Sequence, residues 1–213
     1  MSSPVPVAWT TRLENARALD PLVRLVRPLS DALVADPARR DLLRGAWLGH
    51  ALHPVLTDLP LGFWTAATAL DLRGRPEDRG ASRWLVGAGL AASGPAALTG
   101  LAEWAPAGAE AQRVGALHGA LNAAASGMYL TSFVARSRRR HTLGVVTALA
   151  GAALTGASGY LGGHLTTARK VGSRDEAFAG DTVGPPDGAG PRHAAPVAPT
   201  DPLDPLVGPG ALT

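Results

Sequence analysis

The sequence predicts an all-α fold: an integral membrane antiparallel four-helix bundle with N-terminal amphipathic helices and a disordered C-terminal tail. Charged residues make up only 17% of the 213 residues, against about 25% in soluble domains. The charges are concentrated in blocks, and four long apolar stretches lie between them. None of these stretches alternates as a β-strand does, and each approaches or exceeds the roughly 20 residues that a bilayer-spanning helix needs.

The N-terminal segment, residues 1–44, is predicted to form short amphipathic helices. Apolar residues such as Leu22 and Val26 recur at helical spacing among the arginines. The pair Asp36-Pro37 is typical of a helix start, because Asp caps the first turn and Pro is tolerated there. Two placements agree with this pattern. The helices lie flat on the membrane surface with the apolar side down, or they pack on the rest of the protein.

The four apolar stretches are expected to make the protein a multi-pass protein of the cell membrane. Their predicted bounds are 45–72, 84–104, 113–136 and 142–165. Glycine and alanine are frequent in them and allow helix backbones to approach closely in lipid. Residues 166–213 are predicted as a basic junction followed by a disordered tail rich in proline and glycine. The arginines of the loops and of the N-terminal segment favour opposite orientations, so the orientation stays open.

Several function classes are excluded by composition and motifs. The chain has no cysteine, which excludes disulfides, zinc-thiolate sites and an iron–sulfur cluster held by its own thiolates. It has no convincing phosphate-binding loop, catalytic triad or HExxH pattern. A basic face with stacking aromatic residues is also missing, so nucleic-acid binding is not expected. We expect a lipid bilayer as partner and no catalytic activity of its own.

Histidines gather near one end of the predicted bundle. With a rise of about 1.5 Å per residue, His53 and His118 lie at matching depth from the side on which the first stretch begins. His50 and His164 lie nearer the same surface. Ionisable residues in membrane helices usually face the bundle interior and mark a site, and paired imidazoles can hold a haem iron. We therefore predict His53 and His118 as cofactor ligands, and His50 and His164 as a second pair or as supporting groups.

Three further polar residues are predicted to support this site. Asn122 lies one turn from His118, and Asp58 lies deeper, so both can hydrogen-bond the histidine rings. Glu103 closes the second stretch on the same side. The spacing of the histidines does not distinguish haem b from a metal ion. A metal ion would use Asp58 or Glu103 as an additional ligand. A proton or ion relay and purely structural hydrogen bonding are the alternatives.

The ordered motifs of the four stretches carry a family resemblance. The first stretch reads GAWLGHALHPVLTDLPLGFWTAATALDL, the second ends LTGLAEW, the third begins RVGALHGALN, and the fourth ends GYLGGHL. In this order they resemble the bacterial membrane family called domain of unknown function 2231, over roughly residues 40–178. The resemblance is greatest to members fused to a C-terminal Rieske iron–sulfur domain. It implies four membrane helices and no assigned activity.

Two functional hypotheses follow from the sequence. In the first, the protein is an electron-transfer subunit that binds a b-type haem or a metal through histidines near one membrane face. The fused relatives imply an electron-carrying partner, and the Rieske motif is missing here, so that partner would be a separate iron–sulfur or other redox protein. In the second, the protein is a cofactor-free membrane scaffold or assembly partner with structural histidines.

Overall fold

The computed structural model describes residues 4–176, and seven α-helices lie within that range. The predicted all-α class is confirmed. Three short helices come first: α1 Val5–Glu14, α2 Asp20–Val34 and α3 Pro37–Arg44. Four longer helices follow: α4 Leu52–Arg73, α5 Arg79–Trp104, α6 Ala109–Ser137 and α7 His141–Gly163. The predicted C-terminal tail follows residue 176 and lies outside the described residues.

The first long helix begins seven residues later than the sequence predicts. Gly45 ends α3 in a left-handed conformation with φ 73°, and Gly49 has φ 77° after a short 3-10 turn. Glycine adopts this conformation without the steric cost that a Cβ atom brings. A Cβ on Gly45 would also lie 2.6 Å from the His50 carbonyl oxygen. The apolar composition of residues 45–51 therefore conceals a compact turn before α4.

The long helices pack as two hairpins, α4 with α5 and α6 with α7. In the first, Trp64 Nε1 donates to the Val86 carbonyl oxygen at 3.3 Å. In the second, the Ser132 hydroxyl donates to the Gly144 carbonyl oxygen at 2.6 Å. Helix α5 also contacts α6, and Trp104 Nε1 donates across their turn to the Gln112 carbonyl oxygen at 3.0 Å.

The long helices bury small and polar side chains and expose large apolar ones. Ser82, Ser132 and Ser158 have no exposed surface. Large apolar side chains exposed on these helices include Val55, Leu59, Leu61, Trp84, Leu98, Leu130, Val146 and Leu149. Soluble domains seldom expose so large an apolar surface.

Two helical stretches of the described residues are long and apolar enough to cross a membrane, Pro76–Trp104 and His141–Ala168. Only 28% and 22% of their most apolar windows are buried, whereas the core helix of a soluble protein is mostly buried. By this criterion the structure supports two of the four predicted spans.

The N-terminal helices pack on the long ones. Helix α1 contacts α6, α2 contacts α5 and α6, and α3 contacts α5. Arg113 Nε donates to Asp20 Oδ1 at 2.7 Å, and the Ser30 hydroxyl donates to the Leu101 carbonyl oxygen at 3.0 Å. Exposed apolar side chains remain on these helices: Trp9, Leu25, Leu29 and Leu42.

Candidate functional site: a pair of facing histidines

The structure brings His53 and His118 together. His53 lies in the first turn of α4 and His118 lies in α6. Their ring centroids are 6.5 Å apart, and the ring planes are nearly perpendicular, at 89°. Two helices that are distant in sequence thus present one imidazole each to a common position.

Hydrogen bonds to the main chain fix the proton on each ring. His53 Nδ1 lies 2.8 Å from the Ala96 carbonyl oxygen, and His118 Nδ1 lies 2.8 Å from the Ser158 carbonyl oxygen. Because a carbonyl oxygen can only accept, Nδ1 must be the protonated donor on both rings. In the neutral rings Nε2 then keeps its lone pair. A histidine that binds a metal usually donates its other ring N–H in this way.

The two rings differ in what surrounds them. His118 Nε2 accepts a hydrogen bond from Asn122 Nδ2 at 3.1 Å. Asn122 therefore bonds the His118 ring as predicted, but at the nitrogen that would bind an iron or another metal ion. The Ser158 hydroxyl also bonds this residue, donating to the His118 carbonyl oxygen at 3.1 Å. No comparable side-chain bond to His53 Nε2 is found among residues 4–176.

Two glycines make room for the rings. A Cβ on Gly100 would lie 2.8 Å from His53 Cε1, and a Cβ on Gly162 would lie 3.0 Å from His118 Cε1. Separations this short require the ring to move. Each imidazole therefore rests on the backbone of the other helix of its own hairpin.

The other two predicted histidines have separate partners. His50 precedes α4 and pairs in an isolated bridge with Arg174, and it is exposed. It therefore lies outside the helix in which the sequence placed it. His164 follows α7, and its Nε2 lies 2.7 Å from Glu14 Oε1. The same carboxylate accepts two hydrogen bonds from Arg169. The structure does not present His50 and His164 as a second pair.

The two predicted acidic residues lie in different surroundings. Asp58 is exposed on α4. Glu103 is 6% exposed, and its Oε2 accepts from the backbone N–H and the hydroxyl of Ser173, both at 2.8 Å. Its Oε1 is buried without a hydrogen-bond partner. Within residues 4–176 no group of three or more His, Asp or Glu is arranged to hold a metal ion.

Sequence reasoning missed a buried ion pair at the far ends of α4 and α6. Asp71 and Arg136 have side chains 4% and 1% exposed, and they pair at 2.5 Å. The Ser82 hydroxyl donates to Asp71 Oδ1 at 2.7 Å, and Arg136 Nε donates to the Ser132 hydroxyl at 3.0 Å. Both charges occur at the ends of apolar stretches, where they were indistinguishable from loop charges.

His53 and His118 could hold one haem iron between their rings. Metal–nitrogen bonds of about 2 Å from each ring would place the two nitrogens up to about 4 Å apart, and the ring centres somewhat farther. The 6.5 Å between centroids agrees with that arrangement. Two imidazoles without a third protein ligand would suffice for a haem iron, because the macrocycle would supply the remaining ligands.

Comparison with known proteins identifies a family. The profile of a family described as "Predicted membrane protein (DUF2231)" matches residues 49–175, which is more than half of the chain and includes all four long helices. No curated protein and no solved structure matches the chain. The chain belongs to the DUF2231 family of predicted membrane proteins.

Proposed function

We propose that α4–α7 cross the membrane as an antiparallel four-helix bundle. The support is the distribution of side chains: serines and the Asp71–Arg136 pair lie inside, and large apolar residues lie outside. In lipid, polar groups must be satisfied within the protein, and the hydrogen bonds of Ser82 and Ser132 meet that requirement.

In this arrangement α1–α3 rest at the bilayer surface, since exposed Trp9 and Leu25 lie on helices that also carry arginines. Lipids brominated near the headgroup would then quench Trp9 fluorescence. If Trp9→Phe left the quenched fraction unchanged, this placement would be wrong.

Within that bundle, His53 and His118 bind the iron of a b-type haem, and the protein is an electron-transfer subunit. The observation that carries this proposal is the pair of facing rings, each with Nδ1 2.8 Å from a backbone carbonyl oxygen and with centroids 6.5 Å apart. A bound haem supplies one-electron chemistry. The electron partner is a separate iron–sulfur or other redox protein.

The residues of this chain would do three things for a haem. The carbonyls of Ala96 and Ser158 orient the rings and increase the basicity of Nε2. Gly100 lets the His53 ring lie close to α5. The surrounding apolar helices exclude water, and burial is one of the factors that set a haem potential.

A cofactor-free scaffold is the second candidate. It is favoured by the hydrogen bond from Asn122 to His118 Nε2, which occupies the nitrogen that an iron would need. In that case the histidines connect α4 to α5 and α6 to α7 through the same carbonyl contacts. Hydrogen bonds between membrane helices contribute about 0.6 kcal/mol on average.

A visible absorption spectrum separates the two candidates. The protein is expressed with ample haem and iron, purified in detergent and compared with His53→Ala and His118→Ala. We expect a Soret band that both variants lose and that the control variants His50→Ala and His141→Ala keep. A wild-type protein that is colourless and free of haem would overturn the haem proposal and leave the scaffold.

A further inference from the structure

The two hairpins carry the same sequence pattern in their first helices. Residues 51–64 read ALHPVLTDLPLGFW, and residues 116–129 read ALHGALNAAASGMY. At a constant offset of 65 positions, the segments share Ala-Leu-His, a leucine three residues later and a glycine six residues after that. Each ends on an aromatic residue, Trp64 or Tyr129.

The second helices of the hairpins also match. Residues 88–100 read AGLAASGPAALTG, and residues 150–162 read AGAALTGASGYLG. Here the offset is 62 positions, and five residues of the thirteen are identical, among them the pair Gly100 and Gly162. The offset is three smaller because the turn of the second hairpin is shorter.

The structure uses the matched positions in the same way. His53 bonds the carbonyl of Ala96, and His118 bonds that of Ser158, which is the counterpart of Ala96 at offset 62. Gly100 and Gly162 are likewise counterparts, and each makes room for the histidine of its own hairpin. The contacts within one hairpin thus repeat in the other.

Counterparts on α4 and α6 also touch each other. His53 faces His118. Trp64 stacks on Tyr129, with ring centroids 3.9 Å apart and an angle of 11° between planes. Asp71 pairs with Arg136. A residue touches its own counterpart only where a two-fold axis passes between them. These three contacts extend over about 27 Å of helix at 1.5 Å per residue.

We infer that the membrane domain is a duplicated helical hairpin and that its ligand site lies on the pseudo-two-fold axis, where each hairpin gives one imidazole Nε2 to a single shared metal centre. The inference rests on the proposed function for the identity of that centre, a haem iron. Parallel repeats about an axis along the membrane normal occur in other membrane proteins, whose sites lie where the repeats meet. Gly100 and Gly162 are then equivalent positioning residues.

Two positions break the equivalence beside the site. Asn122 on α6 corresponds to Thr57 on α4, whose hydroxyl donates to the Pro54 carbonyl oxygen at 2.7 Å. Only the His118 ring therefore receives a side-chain donor on Nε2. The halves differ also where Ala96 on α5 corresponds to Ser158 on α7, whose hydroxyl lies 2.8 Å from His118 Nδ1 and donates to the His118 carbonyl oxygen.

Matched glycine variants test the inference. Gly100→Ala and Gly162→Ala introduce a methyl group against a ring, whereas Gly94→Ala and Gly156→Ala, another pair of counterparts, meet nothing within 4 Å. We expect the first two to lower haem occupancy by comparable factors of about tenfold, as measured by the Soret absorbance per chain. The control pair should leave occupancy unchanged.

Thermal unfolding of the same four variants gives a readout that does not need haem. If the wild type is colourless, the proposed function fails, but the duplication still predicts equal losses of melting temperature for Gly100→Ala and Gly162→Ala and none for the controls. If either glycine variant does not accumulate, His53→Asn and His118→Asn replace the pair, because they keep an N–H near Nδ1 and remove Nε2. If one variant of a matched pair lost haem occupancy or melting temperature and its counterpart did not, the inference would be overturned.

Discussion

Asp71 on α4 and Arg136 on α6 form a bidentate ion pair, with Nη1–Oδ1 at 2.9 Å and Nη2–Oδ2 at 2.5 Å. Both side chains are almost fully buried. Removal of one partner from such a pair leaves an uncompensated charge, which typically costs about 3–5 kcal/mol. The pair therefore fixes the relative position of α4 and α6 at the end opposite the histidines.

We predict that Asp71→Asn lowers the stability of the detergent-solubilised protein by about 3–5 kcal/mol. Thermal or denaturant unfolding measures the loss. The matched control is Asp31→Asn, because Asp31 pairs with Arg27 on the surface of α2, where a pair contributes about 0.3–0.5 kcal/mol. The exchange Asp71→Arg with Arg136→Asp should recover part of the loss. If Asp71→Asn and Asp31→Asn lowered the stability equally, the Asp71–Arg136 pair would not fix the position of the two helices.

We predict that the Glu14 cluster makes stability depend on acidic pH. The hydrogen bond from Arg169 lowers the pKa of Glu14 below its ordinary value of 4.5, and the bond to His164 lowers it further, against the opposing effect of burial. A lowered pKa in the folded state means that the contribution is present above about pH 4.5 and is lost as pH falls through the folded-state value.

The measurement is the melting temperature from pH 7 to pH 3, for the wild type and Glu14→Gln. Hydrogen bonds to charged groups contribute about 1.5–3 kcal/mol each, so Glu14→Gln should be less stable at pH 7. The difference between the two proteins should shrink as pH falls below 4.5. A difference that stays constant over this range would contradict the prediction.

We predict that both hairpin turns lie on one side of the membrane. The chain has no cysteine, so single cysteines can be introduced without background labelling. Arg75→Cys in the α4–α5 turn and Arg138→Cys in the α6–α7 turn should react with a membrane-impermeant maleimide from the same side. Gly108→Cys, in the α5–α6 turn, should react from the opposite side. Labelling of all three from one side would exclude four spans.

We predict that Asn122→Ala changes different properties under the two candidate functions: haem occupancy under the first and melting temperature under the second. If an iron takes His118 Nε2, the amide is displaced, and the variant should keep or increase its haem occupancy. If the histidines are structural, the variant loses a hydrogen bond worth about 0.6 kcal/mol and should melt earlier without any absorbance change. Thr57→Ala, at the counterpart position, is the control because Thr57 bonds only within its own turn.

How much the sequence could predict depended on the kind of interaction. Hydrophobic length and composition were sufficient for the all-α class, since they are local properties of each stretch. Depth along a helix was sufficient to select His53 and His118 as neighbours, because it needs only the rise per residue. The start of α4 was wrong because left-handed glycines at 45 and 49 resemble the small residues of a membrane helix until φ is known.

The hydrogen-bond partners of the site residues could not be predicted from the sequence for a different reason. The rotation of each helix about its axis decides which ring nitrogen reaches a carbonyl oxygen. If α6 were rotated by the angle between two successive residues, His118 would face away from Ser158. The Asp71–Arg136 pair required a contact between helices 65 residues apart. The repeated Ala-Leu-His pattern, at that same spacing, was the signal that could have revealed it.

The burial of serine, glycine and alanine beneath an apolar exterior inverts the usual tolerance to substitution. If α4–α7 cross the membrane as proposed, outward positions such as Leu130 and Val146 should accept any aliphatic side chain, since fluid hydrocarbon would surround them. At inward positions such as Gly89 and Gly151, a single added carbon would press on the Trp64 or Tyr129 ring. Attempts to strengthen this protein should therefore leave its interior small and work on its turns.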